Sequence, residues 1–132
     1  MLKIGIVGAE NSHAGAIAAI INVKKKIRGA RVVAIWGEKL KWAKQRAEQG
    51  QVPTIVKKPE DLIGMVDGVM IDHRDAKYHA DAAKIFVKAG LPCFVDKPFT
   101  ATVAEGHRLI KLARDKGVPL VTFSTIPLRR CR

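Results

Sequence analysis

Aromatic side chains are scarce: only 5% of the 132 residues are Phe, Trp or Tyr. That leaves little material for a platform on which nucleic-acid bases could stack. The two cysteines, Cys93 and Cys131, are too few for a disulfide framework and point to a reducing compartment, the cytoplasm. Long apolar runs are missing. The longest, such as Ala16–Ile21, fall far short of the roughly 20 residues that cross a bilayer, so no membrane partner is expected. Met1-Leu2-Lys3-Ile4 leads straight into a strand-like run, without the basic, apolar and small-residue order of a signal peptide. Acidic residues number 12 against 24 basic ones, a net charge of +12. Such a charge suits an anionic partner. Its carriers, however, are scattered: Lys24-Lys25-Lys26, Lys39, Lys41, Lys44, Lys57-Lys58, Lys84, Lys88, Arg108, Lys111 and Arg114 fall mostly on the outer faces of predicted helices. They trace no groove-shaped footprint, so a nucleic-acid partner is not expected either.

What is present is enough apolar material, 48% of the chain, for one core, in a length that fits one domain. Apolar strand-like runs at Leu2–Val7, Ala30–Trp36, Thr54–Val56, Gly68–Ile71, Cys93–Val95 and Leu120–Phe123 alternate with helical patterns. The helices are predicted over Ser12–Lys25, capped by Asn11 or Ser12; over Lys39–Gln49, burying Leu40, Ala43 and Ala47 and ended by Gly50; and over Ala76–Ala89. That third helix turns Tyr78, Ala82, Ile85, Phe86 and Ala89 to one face and stops at Gly90. A fourth opens with a capping box, Thr102-Val-Ala-Glu105, and runs to about Lys116 before Gly117. Pro59 starts a short helical turn. The strands are continuously apolar rather than alternating, as when both faces of a sheet are covered. The expected fold is α/β: a doubly wound, mostly parallel six-stranded sheet of Rossmann type with helices on both faces, strand order 3-2-1-4-5-6. Residues 1–123 make the domain, and 124–132, with Pro127, Arg129, Arg130 and Arg132, read as a tail or severed linker.

In such a sheet, ligands lie beyond the carboxyl ends of the strands. The first strand delivers Gly8-Ala9-Glu10-Asn11-Ser12-His13. A dinucleotide fingerprint puts glycine at the first, third and sixth of these places, and only Gly8 fits. Glu10 stands where backbone approaches a pyrophosphate. His13 stands where glycine lets helix and strand pack closely. Asn11, Ser12 and His13 offer side-chain donors instead, and a plain strand-to-helix turn is the competing reading. The second strand delivers Trp36-Gly37-Glu38-Lys39. Glu38 is the candidate acid for the adenosine ribose, or merely a helix N-terminal Glu. Lys39 and Lys41 could meet a 2′-phosphate, so NAD and NADP both stay open. Trp36 flanks an adenine or belongs to the core. The fourth strand delivers Asp72-His73-Arg74-Asp75, then His79. Their spacing matches no metal-ligand pattern; Asp75 reads as a helix cap, and His73 and His79 as ligand-facing donors. The fifth strand delivers Asp96-Lys97-Pro98. A lysine held by a following proline can hydrogen-bond a substrate hydroxyl or move its proton, or it is a surface lysine before a turn.

Taken in order, these pieces resemble the Gfo/Idh/MocA oxidoreductases, from about Lys3 to Ser124. The strongest likeness is Ala89-Gly90-Leu91-Pro92-Cys93-Phe94-Val95-Asp96-Lys97-Pro98, similar to the family's helix end, strand and Glu-Lys-Pro motif with Asp96 in place of Glu. Lys3-Ile4-Gly5-Ile6-Val7-Gly8 and Gly117-Val118-Pro119-Leu120 match as well. The resemblance implies an NAD(P)-dependent oxidoreductase, or its cofactor domain, acting on a sugar- or polyol-like alcohol. It makes Lys97 the catalytic residue near nicotinamide and substrate. It assigns the cofactor to the loops after Gly8, Trp36 and Ile71, and matches His79 to the histidine after the family's Thr-Pro-Asn loop. The chain departs from the family at Glu10 and His13, at Arg74-Asp75-Ala76 in place of Thr-Pro-Asn, and at the displaced acid Glu38. The family's second α/β domain is missing, so a fragment or a shortened relative is expected. The alternative function is a non-catalytic nucleotide-binding or regulatory module, dimeric across the surface that a second domain covers.

Overall fold

The structure, a computed structural model, describes residues 1–122. Phe123 of the expected sixth strand, the tail 124–132 and Cys131 lie outside the described residues. The element order is β1 (Leu2–Val7), α1 (Ser12–Ala18), β2 (Ala30–Trp36), α2 (Leu40–Gly50), β3 (Thr54–Ile55), β4 (Gly68–Ile71), α3 (His79–Lys88), β5 (Cys93–Val95), α4 (Val103–Lys116) and β6 (Leu120–Val121). All pairings are parallel, in the order β3-β2-β1-β4-β5-β6. The expected order and the alternation of strand and helix are both realised.

Each face of the sheet carries its own apolar layer. On one side Ile6, Val32 and Ile35 pack with Ala14, Ala18, Ile21 and Ala47 of the first two helices. On the other, Val7, Val69, Ile71 and Val95 pack with Phe86, Val87, Leu109 and Ala113 of α3 and α4. This explains why the strands are apolar throughout. With both faces covered, the positions toward the carboxyl ends of β1 and β2 and the centre of the sheet are shielded from water, and only strand ends such as Leu2, Lys3 and Val121 are exposed. Ile6, Val7, Ile35, Ile71 and Val95 are wholly buried, and together they clamp the carboxyl half of the sheet.

Local chemistry sets the helix ends. Asn11 Oδ1 accepts the His13 N–H at 3.1 Å, so Asn11, not Ser12, caps α1. Thr102 Oγ1 accepts the Glu105 N–H at 3.2 Å and so caps α4 as expected, but the reciprocal half of the box differs: the Glu105 carboxylate accepts the Thr102 hydroxyl at 3.0 Å rather than its backbone N–H. Five expectations need correction. The first helix does not run regularly to Lys25: after Ala18 it widens into a π turn, Ala19–Val23, and Lys25 lies at φ 51°. Gly50 is the last helical residue of α2, not its terminator; Gln51, at φ 50°, ends the helix. Gly50 is glycine for another reason. A Cβ there would stand 2.3 Å from the Ala18 Cβ, so its absence is what lets α1 and α2 touch. Leu40, expected to be buried, is 60% exposed, because α2 turns its alanines inward. Tyr78 and Ala89 are exposed too: Ala76–Tyr78 forms a separate 3₁₀ turn ahead of α3, which changes the phase of the apolar stripe, and Ala89 lies past the last helical residue. The third strand stops at Ile55, one residue short of Val56.

Candidate functional site

The ladder continues past the ends of three strands. Gly8 N donates to Trp36 O at 2.9 Å, Asp72 N to Val7 O at 2.8 Å, and Asp96 N to Ile71 O at 2.9 Å. The loops after β2, β1, β4 and β5 therefore leave the sheet side by side, at the crossing point where the chain order reverses. Gly8 makes this possible. Its φ is +109°, and a Cβ would lie 2.6 Å from the His73 nitrogen and 2.8 Å from the Asp72 carbonyl carbon. No side chain fits between β1 and the loop after β4.

The β1–α1 turn is held from α2 and from the end of β2. Glu38 Oε1 accepts the N–H of Ala9 at 2.6 Å and of Glu10 at 3.3 Å. The Arg46 guanidinium donates to the carbonyls of Ala9 (3.0 Å) and Glu10 (3.3 Å). Arg46 was not among the residues expected from the sequence, since nothing in its own helix distinguishes it from a surface arginine. Its cation stands beside the turn that carries the Glu10 carboxylate, and Glu10 also faces Arg74 at 3.9 Å. The lack of glycine at His13 is harmless, because the half-exposed His13 ring points away while Ala14, Gly15 and Ala18 form the packed face of α1. Ser12 and Arg74 are exposed. Trp36 is half-buried against the core, and Gly37 sits tightly against Ala9 and Ala43.

Asp96 is the hub of the other half. Its Oδ2 accepts from Asn11 Nδ2 at 3.1 Å and from His13 Nδ1 at 2.8 Å, and its Oδ1 accepts from the Lys97 N–H at 2.8 Å. One carboxylate thus ties the β1 loop to the β5 loop. Lys97 itself is exposed, and its peptide bond to Pro98 is cis. Behind this hub lies Asp72, wholly buried, with both carboxyl oxygens unpartnered among the described residues. Burial, and after it the Asp96 charge, push the Asp72 carboxyl up to about 8, so it is held as the neutral acid at ordinary pH.

Two histidines stand next to it. His73 is buried between Trp36 (ring centroids 5.8 Å apart) and Tyr78 (5.6 Å), with its Nδ1 unpartnered. Burial holds it below the ordinary histidine value, the Glu38 charge opposes that, and His79 adds to it. His79 is wholly buried behind the loops rather than at their open edge, and both its ring nitrogens face carbonyl oxygens. Asp75 caps the 3₁₀ turn by accepting the Lys77 N–H at 3.0 Å. Among the described residues no three His, Cys, Asp or Glu side chains group as metal ligands. A depression of about 480 Å³, lined by Lys25, Arg28 and Arg31, lies at the opposite, amino-terminal edge of β1 and β2, away from this constellation.

The family model of an oxidoreductase family with an NAD-binding Rossmann fold, Gfo/Idh/MocA, matches residues 2–124. The chain belongs to the Gfo/Idh/MocA oxidoreductase family. It carries the family's NAD-binding Rossmann domain. Among solved structures it is similar to a probable dehydrogenase from Thermotoga maritima, at 27% identity and a TM-score of 0.79, over 92% of this chain and 35% of that one. It is similar also to biliverdin reductase from Synechocystis, solved with biliverdin and NADP+, at 26% identity and a TM-score of 0.78, over 92% of this chain and 37% of that one. An oxidoreductase from Agrobacterium radiobacter, solved with NAD+, L-tartaric acid and magnesium, shares the fold at 18% identity and a TM-score of 0.81, over 95% and 36%. The chain thus spans little more than a third of the length of these relatives. Among curated proteins nothing matches it. No helix among the described residues is long and apolar enough to cross a membrane.

Proposed function

We propose that this chain binds NAD at the strand tips and serves hydride transfer on a sugar- or polyol-like alcohol. The observation that carries the reading is the convergence of Gly8, Glu38, Asp72 and the Asp96–Lys97 pair on one edge of the sheet. The residues fit the cofactor. Gly8 is the glycine that the tight turn demands, and an acid stands at the end of β2 with its carboxylate turned toward that turn. Gly8, Ala9, Glu10, Asn11, Ser12 and His13 would hold the pyrophosphate side; Trp36, Gly37 and Glu38 the adenosine; and Asp72, His73, Arg74, His79, Asp96 and Lys97 line or brace the nicotinamide side. Glu38 favours NAD over NADP: with Oε1 on the Ala9 and Glu10 amides, Oε2 is left to accept from a ribose hydroxyl, and the charge would repel a 2′-phosphate. The bound nicotinamide supplies the hydride chemistry. Lys97 would donate from Nζ to the reacting hydroxyl oxygen, while Asp96 fixes the Lys97 backbone. A cytoplasmic location goes with the free, buried Cys93 thiol and a nicotinamide cofactor.

The test is a titration with NADH and NADPH followed by tryptophan emission. NADH should bind the tighter of the two. Glu38→Gln should weaken NADH by about 10-fold or more, the cost of a lost charge-assisted hydrogen bond, and narrow the preference. No response to either cofactor at about 1 mM, the upper end of ordinary working concentrations, ends the proposal. The glycine fingerprint kept only at Gly8, with Glu10 where a pyrophosphate would lie, favours a second reading, a non-catalytic nucleotide-binding or regulatory module. That reading prevails if NADH binds, no polyol is oxidised and Lys97→Ala changes nothing.

A further inference from the structure

His79 is the one fully buried histidine of the chain's described residues, and it does not face the cleft. It opens α3, and its ring lies between two loops. Nε2 is 2.7 Å from the carbonyl oxygen of His73, in the loop after β4. Nδ1 is 2.8 Å from the carbonyl oxygen of Pro98, and 3.3 Å from that of Phe99, in the loop after β5. Carbonyl oxygens only accept, so each contact draws on a ring N–H. A neutral ring can donate to one loop, and an imidazolium to both. Pro98 has no N–H of its own, and among the described residues no other hydrogen bond ties its carbonyl. Lys97 is held from the other side, through its own N–H on Asp96 Oδ1 at 2.8 Å.

We infer that His79 is the positioning residue for Lys97: braced on the His73 carbonyl, it fixes the Pro98 carbonyl and so sets where the Lys97 side chain leaves the β5 loop. This rests on Lys97 lying at the nicotinamide end. Asp96 and His79 then grip the Lys97–Pro98 unit at its two ends, one by the amide before the side chain and the other by the carbonyl after it. Neither touches substrate in this arrangement. A side chain that must meet a reacting atom gains from such a frame, since displacement by about 1 Å can cost up to 10²-fold in rate.

The experiment compares the full chain with His79→Phe, which keeps a ring but removes both ring nitrogens, and with His79→Gln, which keeps one donating nitrogen. Two readouts are used. The first is the ratio of dissociation constants for NAD+ and ADP-ribose, which differ only at the nicotinamide. The second, free of any ligand, is amide hydrogen exchange at Lys97 and Phe99 against that at Val7 and Ile71. The expected result for His79→Phe is an NAD+ affinity weakened by about tenfold relative to ADP-ribose, with faster exchange confined to Lys97 and Phe99 and a smaller change for Gln. Equal weakening of both ligands, or exchange at Lys97 and Phe99 no faster than in the parent, overturns the inference. If His79→Phe does not fold, His79→Gln decides by the same two measures. Failure of the parent chain to bind either ligand defeats the cofactor reading instead, and the exchange measurement still decides whether His79 holds the loop.

Discussion

Asp72→Asn should make this protein more stable at neutral pH, and the gain should grow with pH. The Asp72 carboxyl is wholly buried, unpartnered, and raised from 3.8 to about 8, first by burial and then by the Asp96 charge. Between those two values the unfolded chain ionises this group while the folded chain keeps it protonated. The native state therefore binds more protons, and stability falls as pH rises. The contribution is fully present below the unfolded value and is lost progressively up to about 8. One pKa unit corresponds to about 1.4 kcal/mol, so at pH 7 the roughly three units above 3.8 cost about 4 kcal/mol. Asparagine keeps the shape and cannot ionise, so it removes this slope. The assay is urea unfolding of parent and variant at about pH 4, 5.5, 7 and 8.5. The two should nearly coincide at the lowest pH and then diverge by about 1.4 kcal/mol per unit up to about pH 8. Parallel stability curves over that range would refute the argument. Asp96→Asn should leave that slope and only partly lower the pH at which it ends, since burial is the larger cause.

Gly8→Ala should destabilise by about 2–5 kcal/mol in thermal or urea unfolding, because a Cβ meets backbone at 2.6 Å and φ is +109°; a neutral outcome would mean that the β1–β4 crossing is looser than described. Phe86→Ala should cost about 3–5 kcal/mol, as Phe86 is wholly buried in the layer under α3, and a loss below about 1 kcal/mol would show that this layer does not pack as one core. Cys93, buried and pushed up to about 12, should stay unreactive toward a disulfide reagent in a Cys131→Ser chain until urea unfolds it; rapid native-state labelling would contradict its burial.

The six strands and their order were legible because a strand buried on both faces is largely apolar and right-handed crossovers leave few topologies. The Asn11 and Thr102 caps followed from side chains that bond their own neighbouring N–H groups. Helix faces were less legible. Tyr78 and Leu40 fit an apolar stripe by spacing yet lie half or more exposed, because a 3₁₀ turn shifts the phase in one case and small alanines take the contact in the other. Local sequence could also mark Gly50 as a terminator, whereas its reason for being glycine is Ala18, 32 positions away in the chain.

By itself, then, the order of residues determined which segments are strands, which are helices, and which loops come to the carboxyl edge, since backbone hydrogen bonding and apolar burial act over a few residues at a time. Only the tertiary structure decided what those loops do to one another: Glu38 on the Ala9 and Glu10 amides, Asp96 between Asn11, His13 and Lys97, His79 between His73 and Pro98, and a carboxyl at Asp72 kept neutral. The physical reason is that hydrogen bonds and desolvation depend on distance in space. Partners up to 85 residues apart meet here, and no local pattern records the meeting.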